Sequence, residues 1–366
     1  MRLFPAPLTG AWLALAIMAA PGPAWAIPRF AHAYGVSCQT CHSVIPHLNP
    51  TGQAFLDAGY RFPGKLQPRR VFPLATKINL AYSSEPDPTG LPKAIVDEIE
   101  VFLAGTAGPR ASYFVEQYLV DGGRPGATRD AWVAYRQRPV NARVPVVATA
   151  GQFTIPLPVD PETFRESLAH YAVFDQTVGA NPFDFFGPKI GVSLAAGNPR
   201  AGTSAIASVF EGHDKQSGIA AFGLDRDLLV QHAIGPLTLS AYRYDGARPV
   251  VGALDRFWRQ GFGAGFASGR VEFDNVLQRG RDGNADGLGN GASSSGGFSQ
   301  LRFAISARVF GLMRYEGTQD PGGFARDLVV LAGFRPTRNA RFTVEDVISH
   351  APTTKHTVNA QYTVGY

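Results

Sequence analysis

The sequence predicts an all-β chain: an outer-membrane β-barrel of about sixteen strands, preceded by a small N-terminal segment of short helices. Three observations carry this reading. Apolar and polar residues alternate with period two along most of the chain after residue 71. Clusters of Gly, Pro, Asp and Asn interrupt the alternation, and the interruptions are short and long by turns. The chain also ends inside a strand, QYTVGY, with Tyr362, Val364 and Tyr366 on one face.

The N-terminus sets the compartment. One positive charge at Arg2 precedes the apolar run AWLALAIMAA, and PGPAWA follows with the small-x-small pattern Ala24-Trp25-Ala26. These are the three regions of a secretory signal peptide over residues 1–26, with a mature chain from Ile27. The apolar run is too short to span a bilayer as a helix, which takes about 20 residues.

Residues 37–49 read SCQTCHSVIPHLN and hold both cysteines of the chain, Cys38 and Cys41, followed directly by His42. Cys-x-x-Cys-His is the attachment pattern of a c-type haem. Two thiols one turn apart add to the two vinyl groups, and the adjacent histidine reaches the iron as proximal ligand. A zinc site with His47 would crowd four donors into ten residues. A thioredoxin-like pair needs a βαβ context that is lacking here, and a disulfide across two residues closes too small a loop to stabilise much. The motif therefore assigns one covalent haem c to Cys38, Cys41 and His42. Downstream, Asn49 and Pro50 suit the cap and first position of a short helix that ends at Gly59 and offers Phe55, Leu56 and Ala58, with Tyr60 next. Residues 27–65 form this haem-bearing segment. They are too few to enclose a porphyrin unaided, so the barrel, residues 66–366, must complete the enclosure. The sixth iron ligand stays open among His32, His47, His170 and no protein ligand. His32 is the first choice because Gly35 permits the chain to reverse behind it.

Strands are expected near 72–83, 95–106, 111–120, 131–137, 146–153, 189–196, 203–211, 219–234, 237–245, 256–267, 270–279, 296–306, 309–318, 326–335, 340–348 and 356–366. Short connections such as AGPR, GNPRAG and PTRN alternate with longer ones such as EPDPTGLPK, DGARPVVGALD, TQDPGGFA and SHAPTTK. The phase of the alternation turns Lys77, Glu98, Glu100, Glu116, Arg136, Arg302, Arg314 and Glu316 into the lumen and Met313 toward lipid. One connection, residues 154–188, is far longer than a turn and rich in aromatics. It is expected to fold over or into the barrel mouth, with a short helix from Pro161 to Phe174 presenting Phe164, Leu168 and Tyr171. Asp282, Asn284, Asp286 and Gly287 mimic the start of a calcium loop, but Ser293 stands where the closing carboxylate belongs, so a polar loop tip is expected. The net charge of +5 is scattered along the chain, which argues against a nucleic-acid partner.

The stretch FAHAYGVSCQTCHSVIPHLNPTGQAFLDAGYRFP resembles the fused monohaem cytochrome c–porin family of the outer membrane, whose best-known members oxidise extracellular ferrous iron. The resemblance rests on Phe30, the motif at 38–42, Pro46, Leu48-Asn49, Gly52, Phe55 and Gly59-Tyr60. It implies a haem segment on the periplasmic side of the barrel or within it, in a chain embedded in outer-membrane lipid. It also implies electron transfer from an extracellular donor such as Fe(II) to a periplasmic electron-transfer protein, as an Fe(II)-oxidising oxidoreductase or as a non-enzymatic carrier. The competing expectation is a porin or uptake channel with a haem-containing plug or sensor.

Overall fold

The computed structural model describes residues 28–44, 46–62, 72–85, 93–137, 144–163, 165–199, 202–212, 223–251, 253–350 and 353–365. Its strands form one antiparallel sheet that closes on itself. They are β1 (Leu74–Ser83), β2 (Ala94–Ala107), β3 (Ala111–Asp121), β4 (Arg124–Pro125), β5 (Thr128–Arg136), β6 (Val146–Phe153), β7 (Lys189–Gly197), β8 (Gly202–Glu211) and β9 (Leu224–Ile234). The second half comprises β10 (Leu237–Val250), β11 (Ala253–Ser268), β12 (Val271–Asp282), β13 (Ala292–Ala304), β14 (Val309–Asp320), β15 (Gly323–Phe334), β16 (Ala340–His350) and β17 (Thr354–Gly365). Both β4 and β5 pair with β3, so the two are one stave interrupted by a bulge, and the barrel has the sixteen staves expected. The ring is sealed where β1, already paired with β2, also pairs with β17 in a register running from Lys77↔Gly365 to Ser83↔Asn359. Closure leaves no open edge, the condition for a sheet to sit in lipid.

Polarity is inside out. Glu100 and Arg314 are fully buried in the lumen, whereas Val133, Met313 and Tyr315 are about half exposed on the outer wall. The eight charges expected in the lumen all lie there. Lys77, Glu98, Glu100 and Glu116 face a central cavity, and Arg136, Arg302, Arg314 and Glu316 bond to chain inside the barrel. Among the described residues no helix is long and apolar enough to cross a membrane.

Three of the longer connections expected at the far rim are instead tight ends of longer strands. β10 runs to Val250 and β11 begins at Ala253, β14 and β15 meet across residues 321–322, and β16 ends at His350 just before β17. For the first of these the cause is visible: the buried Arg248 pairs with Asp225 at 2.7 Å and holds the extended hairpin against its neighbour.

The 154–188 connection folds into the lumen. Ile155, Leu157, Tyr171, Val173, Phe174, Phe183 and Phe185 pack with Phe153, Phe210, Tyr242, Tyr244, Phe257 and Phe298 of the wall in the main hydrophobic cluster. The helix expected over 161–174 is not formed; after α1 (Pro28–Tyr34) and α2 (Pro50–Asp57) of the N-terminal segment, a single turn, α3 (Ala172–Asp175), stands in its place, and Phe164 lies outside the described residues. The wall supplies the hydrogen bonds that a helix would have made within itself. The Glu345 carboxylate accepts from the Leu168 and Ala169 amides, both at 3.0 Å, Glu316 accepts from the Ala172 amide at 3.0 Å, and Arg314 donates to the Ala169 and His170 carbonyls. Residues 282–290 form a polar tip in which Asp286 accepts from the Leu288 and Asn290 amides.

Candidate functional site

The N-terminal segment lies inside the barrel at the end where the short turns are. It consists of α1 (Pro28–Tyr34), a 3₁₀ turn (Cys38–Thr40) and α2 (Pro50–Asp57). Asn49 caps α2 as expected, accepting from the Thr51 and Gly52 amides at 2.9 Å, and its own amide donates to the Gln39 carbonyl, which ties the helix to the motif. Gly52 sits directly on that turn. A Cβ there would collide with the Cys41 carbonyl, so only glycine lets α2 pack this closely.

Aromatic rings pin the segment to the wall. Phe30 stacks on Tyr60 at 4.6 Å, Tyr60 stacks on Trp132 at 6.1 Å, and Phe55 meets Phe30 and Tyr34 edge-on. Such pairs contribute about 0.5–1.5 kcal/mol each beyond their buried area. Tyr60 takes a left-handed conformation (φ 63°), and its carbonyl accepts from the Tyr34 hydroxyl at 2.8 Å. On the other side Val44 is buried against Phe310, Leu312 and Leu331. Arginines fasten the backbone: Arg136 donates to the Asp57 carbonyl at 2.5 Å, Arg335 to the Ser43 carbonyl at 2.7 Å, and Arg61 to the Gly108 and Ala111 carbonyls of the β2–β3 turn.

Above the segment lies a cavity of about 680 Å³, within the range of about 300–1,000 Å³ common for cofactor sites. Cys38, Cys41 and His42 all line it. The two cysteines are not joined to each other. His42 Nδ1 lies 3.0 Å from the Pro46 carbonyl. A carbonyl only accepts, so the ring proton sits on Nδ1 and Nε2 keeps its lone pair, the arrangement that orients a metal-ligating histidine. Burial pulls the His42 imidazole down to about 4, against the pull of that same carbonyl, which keeps the ring neutral. Burial, and then the neighbouring Cys38, pushes the Cys41 thiol up to about 11.

Gly35 does reverse the chain, with φ 64°, but α1 is helical, and its period turns Phe30 and Ala31 to the cavity rather than His32. His32 is not among the cavity-lining residues. His47 is drawn to the wall, where its Nε2 meets Glu272 at 2.6 Å. Of the three histidines weighed as sixth ligand, His170 alone lines the cavity; it stacks on Phe186 at 3.9 Å and holds Asp175 at 3.3 Å through Nδ1.

The barrel aligns with solved porins over most of its length. An anion-selective porin from Comamonas acidovorans superposes with a TM-score of 0.61 at 12% identity, covering 80% of this chain and 98% of that one. OmpF of Salmonella typhi, in complex with daunomycin, gives 0.59 at 11% identity over 80% and 97%. A loop-deletion mutant of OmpT from Vibrio cholerae gives 0.56 at 11% identity over 80% and 98%. The fold is that of a porin. Each superposition leaves a fifth of this chain uncovered. No protein-family model matches the chain, and no curated protein matches its sequence.

On this porin frame the cavity is strongly acidic. Eight carboxylates line it, among them Glu98, Glu100, Glu116 and Glu162, against Lys77, Arg165 and Arg341. Lys77 pairs with Glu100 at 2.5 Å, and Arg129 reaches Glu162 at 2.6 Å. Among the described residues no three His, Cys, Asp or Glu side chains gather as a metal centre. Sequence reasoning missed this acidity and the role of Gly52 as a packing seat, because both depend on which residues meet across the lumen.

Proposed function

We propose that the chain is an outer-membrane electron-transfer protein that carries one covalent c-type haem inside a porin-like barrel. The observation that carries this reading is that Cys38, Cys41 and His42 open together on one cavity of suitable size. The residues fit the group: two thiols not joined in a disulfide, a neutral imidazole with Nε2 available, and an aromatic surround from Phe30, Phe55 and Trp132. When bound, the haem supplies one-electron transfer at a potential tuned by its ligands, burial and nearby charge.

The chain's own residues do the rest. Cys38 and Cys41 would form the thioether links and His42 would ligate the iron, while the Pro46 carbonyl fixes the ring. The aromatic cluster excludes water from one side of the site, and the N-terminal segment obstructs the pore at the short-turn end. The acidic wall draws in divalent cations, which favours a cationic extracellular donor; with the family resemblance, this points to Fe(II) as substrate. The short-turn rim faces the periplasm in barrels of this kind, so electrons would leave there to a periplasmic electron-transfer protein.

Double substitution of Cys38 and Cys41 by Ala is expected to abolish haem staining on a denaturing gel; staining that persists would end this reading. Anaerobic mixing of the full protein with Fe(II) is expected to reduce the haem spectrum. For the sixth ligand, the cavity lining favours His170 over His32. His170→Ala should then turn a low-spin spectrum high-spin and His32→Ala should leave it unchanged; the reverse outcome restores His32.

A second reading, a porin or uptake channel with a haem plug or sensor, is favoured by the porin fold and by the size of the charged cavity. Flux through liposomes separates the two. A conduit stays nearly sealed, and a porin passes small solutes.

A further inference from the structure

The described short turns carry charge of one sign. They join β2 to β3, β9 to β10, β11 to β12, β13 to β14 and β15 to β16, and their segments 108–110, 235–236, 269–270, 305–308 and 335–339 hold five arginines and no aspartate, glutamate or lysine. The loops of the opposite rim carry both signs, with acids in the majority. Arg110, Arg270, Arg308 and Arg338 are exposed, and among the described residues none of the four pairs with a carboxylate. Arg110 meets the Tyr135 hydroxyl at 3.4 Å, and Arg270 donates to the Ile305 carbonyl at 3.3 Å.

We propose that this ring is a docking face for the acidic surface of a small soluble periplasmic protein. Three observations argue for it. Unbalanced like charge around a mouth repels itself and is stabilised by an acidic visitor, whose approach it also steers. The ring is continuous with the N-terminal segment: a small hollow of about 50 Å³ is lined by Arg270, Arg302, Arg308 and Arg335 with Glu272 and Ser43, and Ser43 directly follows His42. The one carboxylate there, Glu272, is taken by Arg302 and His47, which leaves the exposed arginines unbalanced. The cluster also faces the lumen mouth, since Arg302 and Arg335 both reach inward to Ser43. Lipid would instead cover the outward strand ends, where Phe303, Ile305 and Val309 are exposed. That the visitor carries electrons rests on the haem reading; that it is acidic rests on the ring alone.

The test uses the full-length protein in zwitterionic detergent. Binding is measured for two probes of similar size, an acidic soluble c-type cytochrome and a basic one. The acidic probe is expected to bind and to weaken at least about tenfold between about 50 and 300 mM salt, and the basic probe not to bind. The combined variant Arg110→Gln, Arg270→Gln, Arg308→Gln, Arg338→Gln should bind the acidic probe about tenfold more weakly. It leaves Arg335, which anchors Ser43, in place, and heat-modifiable gel mobility reports that it folds. Should it fail to fold, Arg308→Gln with Arg338→Gln alone is expected to lose about threefold. Equal binding of both probes, or undiminished binding by a folded variant, overturns the proposal. So does a variant that loses only its affinity for phosphatidylglycerol vesicles, which would make the ring a lipid contact. Absence of haem staining with ring-dependent binding intact would defeat the electron-transfer reading and leave the docking face standing.

Discussion

Two pieces of chain fill this barrel, and they are held in different ways. The 154–188 loop belongs to the wall: it shares the main aromatic cluster, and its amides are taken by Glu345 and Glu316 from inside the sheet. The N-terminal segment is a guest. It touches the wall through a smaller aromatic cluster and is fastened by arginines that donate to its carbonyls at the rim. Buried carboxylates that answer backbone amides make the first piece costly to remove. Arginine–carbonyl bonds close to water make the second separable. The cavity lies between them and is lined by both.

Removing residues 27–65 is the strongest way to test that contrast. Every strand pairs with its neighbours without help from this segment, so the barrel is expected to fold, with heat-modifiable mobility retained and single-channel conductance raised several-fold. Loss of folding would show that the guest is part of the wall. Next in size, Glu345→Ala strands the Leu168 and Ala169 amides and should destabilise the loop by roughly 2–4 kcal/mol, read from denaturant midpoints.

Much of this architecture can be read directly from the residues. Period-two alternation located all sixteen staves and the lumen charges, because side-chain direction in a strand is fixed by parity. The cap at Asn49 and the reversal at Gly35 were legible for the same kind of local reason. What could not be read depends on distant partners. The 161–174 stretch looks helical until Glu316, Glu345 and Arg314 take its backbone groups, and these lie 144 to 177 positions away. His32 stands out in the sequence because Gly35 lets the chain turn behind it, whereas the place of His170 on the same cavity as His42 depends on a lumen that sequence order does not display.

Gly52→Val sharpens the comparison from the guest's side. The added side chain must push α2 off the Cys41 carbonyl, so haem incorporation should fall while the mobility of the barrel on gels stays unchanged. The smallest expected effect concerns pH. Burial pushes the Glu162 carboxyl up to about 7, with Arg129 pulling it back. A carboxyl raised in this way contributes stability that is fully present below its ordinary value of 4.5 and is lost as pH rises through about 7. The same titration adds negative charge to the cavity, so the small residual cation conductance of the full protein should step up across that window, and Glu162→Gln should shrink the step.

The seam between β1 and β17 joins Lys77 to Gly365, nearly the whole barrel apart in sequence. Non-local pairings of this kind form late, because the intervening chain must be gathered first. Cys38, Cys41 and His42 precede every strand of the barrel in chain order. The cavity, by contrast, has no walls until the final strand has docked. A group attached to those thiols would therefore be carried along by an unfinished cylinder and enclosed as the seam shuts. Chronology, rather than the width of the mouth, would decide what the barrel can hold.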